Sequence, residues 1–302
     1  MSSLSNSATD CSVAHSTNYA KNSEQKKPSG LKHAGAGAVA FTVSSPISSL
    51  IQVPTKKIIM SAFDSASQFN DQFKRAAELA FNDSGLASKG VRYVNSANLT
   101  GEQIANYSKE FLPKWVEKLP TSIKDTVGIA GKSMVDTIKD GGNAAFLSRS
   151  NQILLNTEKM SVASFHEMGH AMNKFSKIGN ILQKCCSMQM LALPIIAIAA
   201  FKPKKAEGEK ANGVIDKTTT FIKDNAGKLA FATFLPTLVE EGLASVKAAK
   251  IAKPHLSSDM FKQLNKVNGK AFLTHLGTAV GVALVAKAAS WIHDKIASPK
   301  KA

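Results

Sequence analysis

Three long apolar stretches beyond residue 184 restrict what this 302-residue chain can fold into more than any other feature. Cys185–Phe201 is 17 residues without a charge, Ala226–Val239 is largely apolar, and the 22 residues Ala271–Ile292 are interrupted only by His275 and Lys287. As helices rising about 1.5 Å per residue they measure about 25, 21 and 33 Å, against a bilayer core of roughly 30 Å. The third spans, the first is marginal, and the second needs flanking residues through Ser245. Buried helices of a soluble bundle are the competing explanation. The lysine-rich segments 202–228 and 247–270 between the runs favour membrane helices. Both segments are basic, so the positive-inside rule assigns no orientation.

The formal net charge is +16, from 38 Lys+Arg and 22 Asp+Glu. Nucleic acid is the usual suspect for such an excess, but only Arg75, Arg92 and Arg149 are arginines, and bidentate base reading depends on that planar fork. With aromatics at 7% and no nucleic-acid-binding motif, nucleic acid is not an expected partner. Lysines beside apolar runs suit anionic head groups instead. Cys11, Cys185 and Cys186 form no disulfide framework and are expected as thiols. Residues 1–30 are polar and expected to be a disordered arm without a secretory signal. Residues 31–62 form an apolar to amphiphilic segment.

The region 63–179 alternates in character. Phe63, Phe69, Phe73, Ala76, Ala77 and Ala80 follow helical spacing up to a stop at Gly85. Val91–Val94 suits a strand, and 101–139 suits helix in two pieces broken by Pro113 and Pro120. Ala144–Leu147 and Gln152–Leu155 form a β-hairpin around the polar turn 148–151. It leads into a helix over Met160–Phe175, with Ser161 as its cap and Gly179 as its stop. The expected fold class is α+β, mainly α: a compact unit over 63–179, then apolar helices over 180–297.

That last helix carries His166-Glu167-Met168-Gly169-His170. Histidines at i and i+4 lie about 40° apart on one face and offer two imidazoles to one tetrahedral ion. Glu167 can take the proton of a water that the ion activates. With 7 His and 11 Glu in the chain, roughly 0.006 such pentads arise by chance. Gly169 and Ala171 keep the helix slim enough for a second helix to approach closely. A third ligand is needed. His15, His33, His255, His275 and His293 each read as surface or structural histidines. Glu240-Glu241-Gly242-Leu243-Ala244-Ser245 is different, because two acids end an apolar run where an unpaired carboxylate is expensive.

Together HEMGH and EEGLAS resemble the gluzincin branch of zinc metallopeptidases, over about residues 85–250. The resemblance implies a small zincin-like unit with one zinc ion held by His166, His170 and Glu241, Glu167 as general base, and Glu240 as a supporting acid. It also implies that the hairpin before the helix is an edge strand binding an extended peptide. Asn173, on nearly the same face as the histidines, is a candidate orienter of a ligand. The 71 residues from His170 to Glu241 include an apolar run, a layout similar to the membrane-bound heat-shock and CAAX-processing metalloproteases, although Ser245 stands where those have an acid. Tyr19, Tyr93 and Tyr107 all lie far from the motifs, so no oxyanion donor is assigned. The expected function is a membrane-associated zinc metallopeptidase acting on a peptide or protein substrate. The alternatives are a non-catalytic membrane-anchored scaffold with a structural or vestigial zinc site, and a soluble helical protein with a chance pentad.

Overall fold

The computed structural model describes residues 30–44, 46–112, 118, 131–205, 209 and 211–297, with only the backbone described for 47–56. The helices are α1 (Gly30–Ser44), α2 (Pro46–Ser67), α3 (Asn70–Asp83), α4 (Gly101–Glu110), α5 (131–139), α6 (Ala163–Lys174), α7 (Lys177–Cys185), α8 (Ala192–Phe201), α9 (Gly213–Asp224), α10 (Ala226–Ala232), α11 (Leu235–Ala252) and α12 (Ser258–Ala297). Three strands, β1 (Arg92–Asn95), β2 (Ala144–Leu147) and β3 (Gln152–Leu155), form one sheet in the order β1-β3-β2. The structure is mainly helical with a small sheet.

The apolar pattern explains the layers. Ile153, Leu154 and Leu155 of the central strand are fully buried. β3 runs parallel to β1 and antiparallel to β2, with both Tyr93 and Phe146 opposite Ile153. Ile153 and Leu155 share a core with Phe73 and Ala77 of α3, Phe165, Met168 and Ala171 of α6, Ala248 and Ala252 of α11, and Leu264 of α12. Within it Phe73 and Phe165 meet edge to face, their ring centroids 6.3 Å apart. A second core of small residues joins Ala40 of α1, Ala199 and Ala200 of α8, Ala226 and Ala230 of α10, and Ala286 and Ala289 of α12. The long helix α12 therefore serves the sheet-bearing core near its start and an apolar bundle near its end.

Three segments, Lys177–Phe201, Ala226–His255 and Ser258–Ala297, are long and apolar enough to cross a membrane. Only 22%, 33% and 22% of their most apolar windows are buried inside the protein, so the larger part of each keeps some contact with the surroundings. All three helical segments extend beyond the runs of their apolar sequence.

Several local expectations are corrected. The helix expected from residue 63 to 80 is two helices. The chain breaks after Ser67 because Asn70 turns its side chain to the 157–161 loop, donating through Nδ2 to the Thr157 carbonyl and accepting through Oδ1 from the Ser161 N–H. The first strand lies one residue later, at Arg92–Asn95. Ser161 does not cap α6: its hydroxyl donates to the Thr157 carbonyl at 2.6 Å, and α6 starts without a side-chain cap. Gly179 does not stop a helix either. It lies in the first turn of α7, whose cap is Ser176, and a Cβ there would sit 2.5 Å from the Asn173 carbonyl oxygen. The glycine is needed for the tight turn between α6 and α7. Residue 30 begins α1; the remainder of the expected arm, and Pro113 and Pro120, lie outside the described residues.

Candidate metal centre

α6 presents three faces. Phe165, Met168 and Ala171 go into the core, Gly169 and Asn173 meet α11, and His166, Glu167 and His170 line a cavity of about 690 Å³. The helices α6 and α11 touch at Gly169, where a Cβ would stand 2.1 Å from the Ala244 carbonyl oxygen. That close approach brings Glu241, one turn earlier on α11, to the histidines.

His166 Nε2 is 3.0 Å from His170 Nε2 and 3.0 Å from Glu241 Oε2, and His170 Nε2 is 3.6 Å from the same carboxylate oxygen. Ligands about 2.0–2.1 Å from a tetrahedral zinc stand about 3.3 Å apart, so these three atoms fit one ion. Two imidazoles and one carboxylate are also the donor set of a hydrolytic zinc site with an open position. The group His166, His170 and Glu241 can therefore hold a metal ion.

The outer nitrogens of the rings are held as well. His170 Nδ1 lies 2.9 Å from Glu240, whose Oε1 accepts from Asn173 Nδ2 at 3.0 Å and from Gln183 Nε2 at 2.9 Å. Asn173, fully buried, also donates to the Glu240 carbonyl. His166 Nδ1 is 3.4 Å from Ser245 Oγ. Such partners fix ring orientation and keep each Nε2 turned toward the shared point.

Glu167 is buried, 6% exposed, and its carboxylate accepts a hydrogen bond from the Phe146 backbone N–H of β2. Burial raises its pKa above the usual carboxylate range, against the lowering effect of the nearby imidazoles. A carboxylate made more basic in this way is a better proton acceptor at neutral pH. For His170, burial alone would lower the pKa, but the carboxylates of Glu241, Glu240 and Glu167 outweigh it and raise the value to about 10.

All six residues singled out in the sequence are brought together here. His275 of α12, read from the sequence as an isolated histidine, belongs with them: its Nε2 is 3.4 Å from Glu241 Oε1, and it lines the cavity. Gln183 and Ser245 were also not foreseen as supports. A histidine inside an apolar run carries the same desolvation argument that singled out the Glu240–Glu241 pair, and that signal was available for His275. Other walls of the cavity are the edge strand β2 (Ala144–Phe146) and three α2 side chains, Ile59, Met60 and Phe63. The turn of the hairpin is tied back to the end of α6, where Lys174 Nζ donates to the Ser148 carbonyl and to Asn151 Oδ1. Asn151 takes the left-handed conformation (φ 57°) that its short polar side chain tolerates.

No family model, curated protein or solved structure matches this chain.

Proposed function

We propose that the protein is a membrane-embedded zinc metallopeptidase of the gluzincin type. The observation that carries this reading is the convergence of His166 Nε2, His170 Nε2 and Glu241 Oε2 on one point, with the Glu167 carboxylate beside them in an open cavity. A zinc ion there would supply a Lewis acid and make water acidic enough to be deprotonated near neutral pH.

The chain's own residues do the rest. Glu167 takes the proton of the attacking water and returns it to the leaving amine. The Phe146 N–H holds that carboxylate against β2, so the base sits at the edge where an extended peptide would add as a strand. His275 is placed at the cavity wall to donate a hydrogen bond to charge that develops on the substrate carbonyl oxygen. Glu240, Asn173 and Gln183 keep His170 aimed. The membrane assignment rests on the length and apolar composition of the three segments and on how little of them is fully buried inside the protein.

A structural zinc site needs a fourth protein ligand, and His275, whose Nε2 lies 3.4 Å from Glu241 Oε1, is a candidate for it. Metal content and peptide cleavage separate the readings. Glu167→Gln should keep zinc and reduce cleavage by about 10²–10⁴-fold, whereas Glu241→Ala should lose zinc and cleavage together. Full zinc in Glu241→Ala would remove Glu241 from the site. Zinc without cleavage in the wild type, lost on His275→Ala, would establish the structural role.

A further inference from the structure

A second buried polar cluster lies at the other end of α12. His293 is fully buried, and its ring stacks on that of His33 from α1, with centroids 5.4 Å apart and planes 23° from parallel. His33 Nδ1 and His293 Nε2 are 3.4 Å apart. On the far side of His293, Nδ1 lies 3.2 Å from Lys223 Nζ and 3.2 Å from Asp294 Oδ1. Lys223, 3% exposed, pairs with Asp294 Oδ1 at 2.8 Å and donates to the Ala199 carbonyl at 3.3 Å. Four helices, α1, α8, α9 and α12, thus meet on one set of polar atoms between apolar walls.

We propose that His33 and His293 form a proton-operated latch, which holds the α1–α2 arm along α12 and lets α1 go once both rings are protonated. The contact between the rings needs one nitrogen without a proton. With both rings neutral, Lys223 donates to His293 Nδ1, and His293 Nε2–H donates to His33 Nδ1. A single added proton is tolerated, because His293 Nδ1–H can then donate to Asp294 Oδ1 while one N–H still bridges the two rings. With both rings protonated, N–H faces N–H and the contact is broken. The charges then oppose the contact too. His33 on α1, His293 on α12, Lys223 on α9 and Lys204 after α8 are cationic. Asp294 on α12 and Asp224 on α9 are the acids facing them. Among the described residues only Asp294 is directly bonded to this cluster as an acid, so two added positive charges in the buried site are costly.

The latch bears on the metal centre because α2 follows α1 directly, and its far half supplies Ile59, Met60 and Phe63 to the cavity wall. Releasing α1 frees one end of the arm whose other end covers the site. The inference stands on the second cluster alone and is read without zinc or cleavage.

Hydrogen–deuterium exchange of the full chain in lipid nanodiscs tests it, with α3 amides in the same sample as the reference for the intrinsic effect of pH. Relative to α3, protection of α1 should fall about tenfold or more between pH 7.5 and pH 5.0 in the wild type. The double variant His33→Gln/His293→Gln keeps a donor and an acceptor on each side chain but has no titrating ring, and should show no such fall. Equal wild-type protection at the two pH values overturns the latch, as does the same fall in the double variant. If α3 of the double variant is itself unprotected, His33→Gln alone, changing the half-buried ring, is read in the same way and against the same outcomes.

Discussion

Glu240 and Glu241 are neighbours in sequence yet hold different atoms. Glu241 offers an oxygen to the point shared with both Nε2 atoms, while Glu240 holds His170 from behind through Nδ1. The difference has a measurable consequence. With three carboxylates around it, His170 has a pKa of about 10 in the metal-free chain and carries a proton at neutral pH. A zinc ligand must be the neutral imidazole, so binding has to expel that proton. Apparent zinc affinity should therefore rise about tenfold per pH unit from pH 6.5 to pH 9, as read by competition with a chelator. An affinity that stays flat over this range would contradict the protonation assigned to His170. At this scale the sequence was informative where chemistry is local. His166, Glu167 and His170 are legible because i and i+4 share a helix face. The Glu240–Glu241 pair is legible because acids ending an apolar run need a partner, and the resemblance to gluzincins points to Glu241 of the two. His275 carried the same desolvation signal within its apolar run, whereas Gln183 carried none, since it finds its partner only after helices distant in sequence are packed.

At the scale of elements, the centre depends on how closely α6 and α11 approach. Gly169 is the contact point, and its neighbour is backbone, which cannot swing aside as a side chain would. Gly169→Ala should push the helices apart and destabilise the protein by about 1–3 kcal/mol, in the range of overpacked cores. It should also lower zinc affinity, since Glu241 rides on α11. Thermal unfolding with a parallel zinc titration checks both, and wild-type values for both would mean that α11 yields without cost. The hairpin was readable to the residue because two short apolar runs flank a polar turn. Gly179 was misread because glycine after a helix is commonly a terminator; here it serves a close approach to Asn173, which only the packed turn reveals. The break before Asn70 has its cause 87 residues away, at Thr157.

At the scale of the whole molecule, the +16 charge and the apolar helices belong to one description: a sheet-bearing core joined through α12 to a bundle of apolar helices, with lysine-rich segments between the apolar runs of the sequence. Expressed in cells, the chain should stay in the membrane pellet after washing at alkaline pH and leave it only with detergent. Release by the alkaline wash would refute the spanning segments while leaving the metal centre intact. The apolar runs were legible by length and composition alone. What could not be read is that α12 contributes to both cores, because one continuous helix gives no sequence signal where its surroundings change.

His275 and His293 stand 18 residues apart on α12. Five turns of α-helix take 18 residues, so the two side chains leave α12 in nearly the same direction, about 27 Å from each other. The arm made of α1 and α2 meets the first position at the cavity and the second at the stacked rings. α12 thus works as a straightedge with two marks on it. A sliding of the arm by one helical turn would misalign both marks together, which makes the register of this pairing a single variable shared by two distant polar centres.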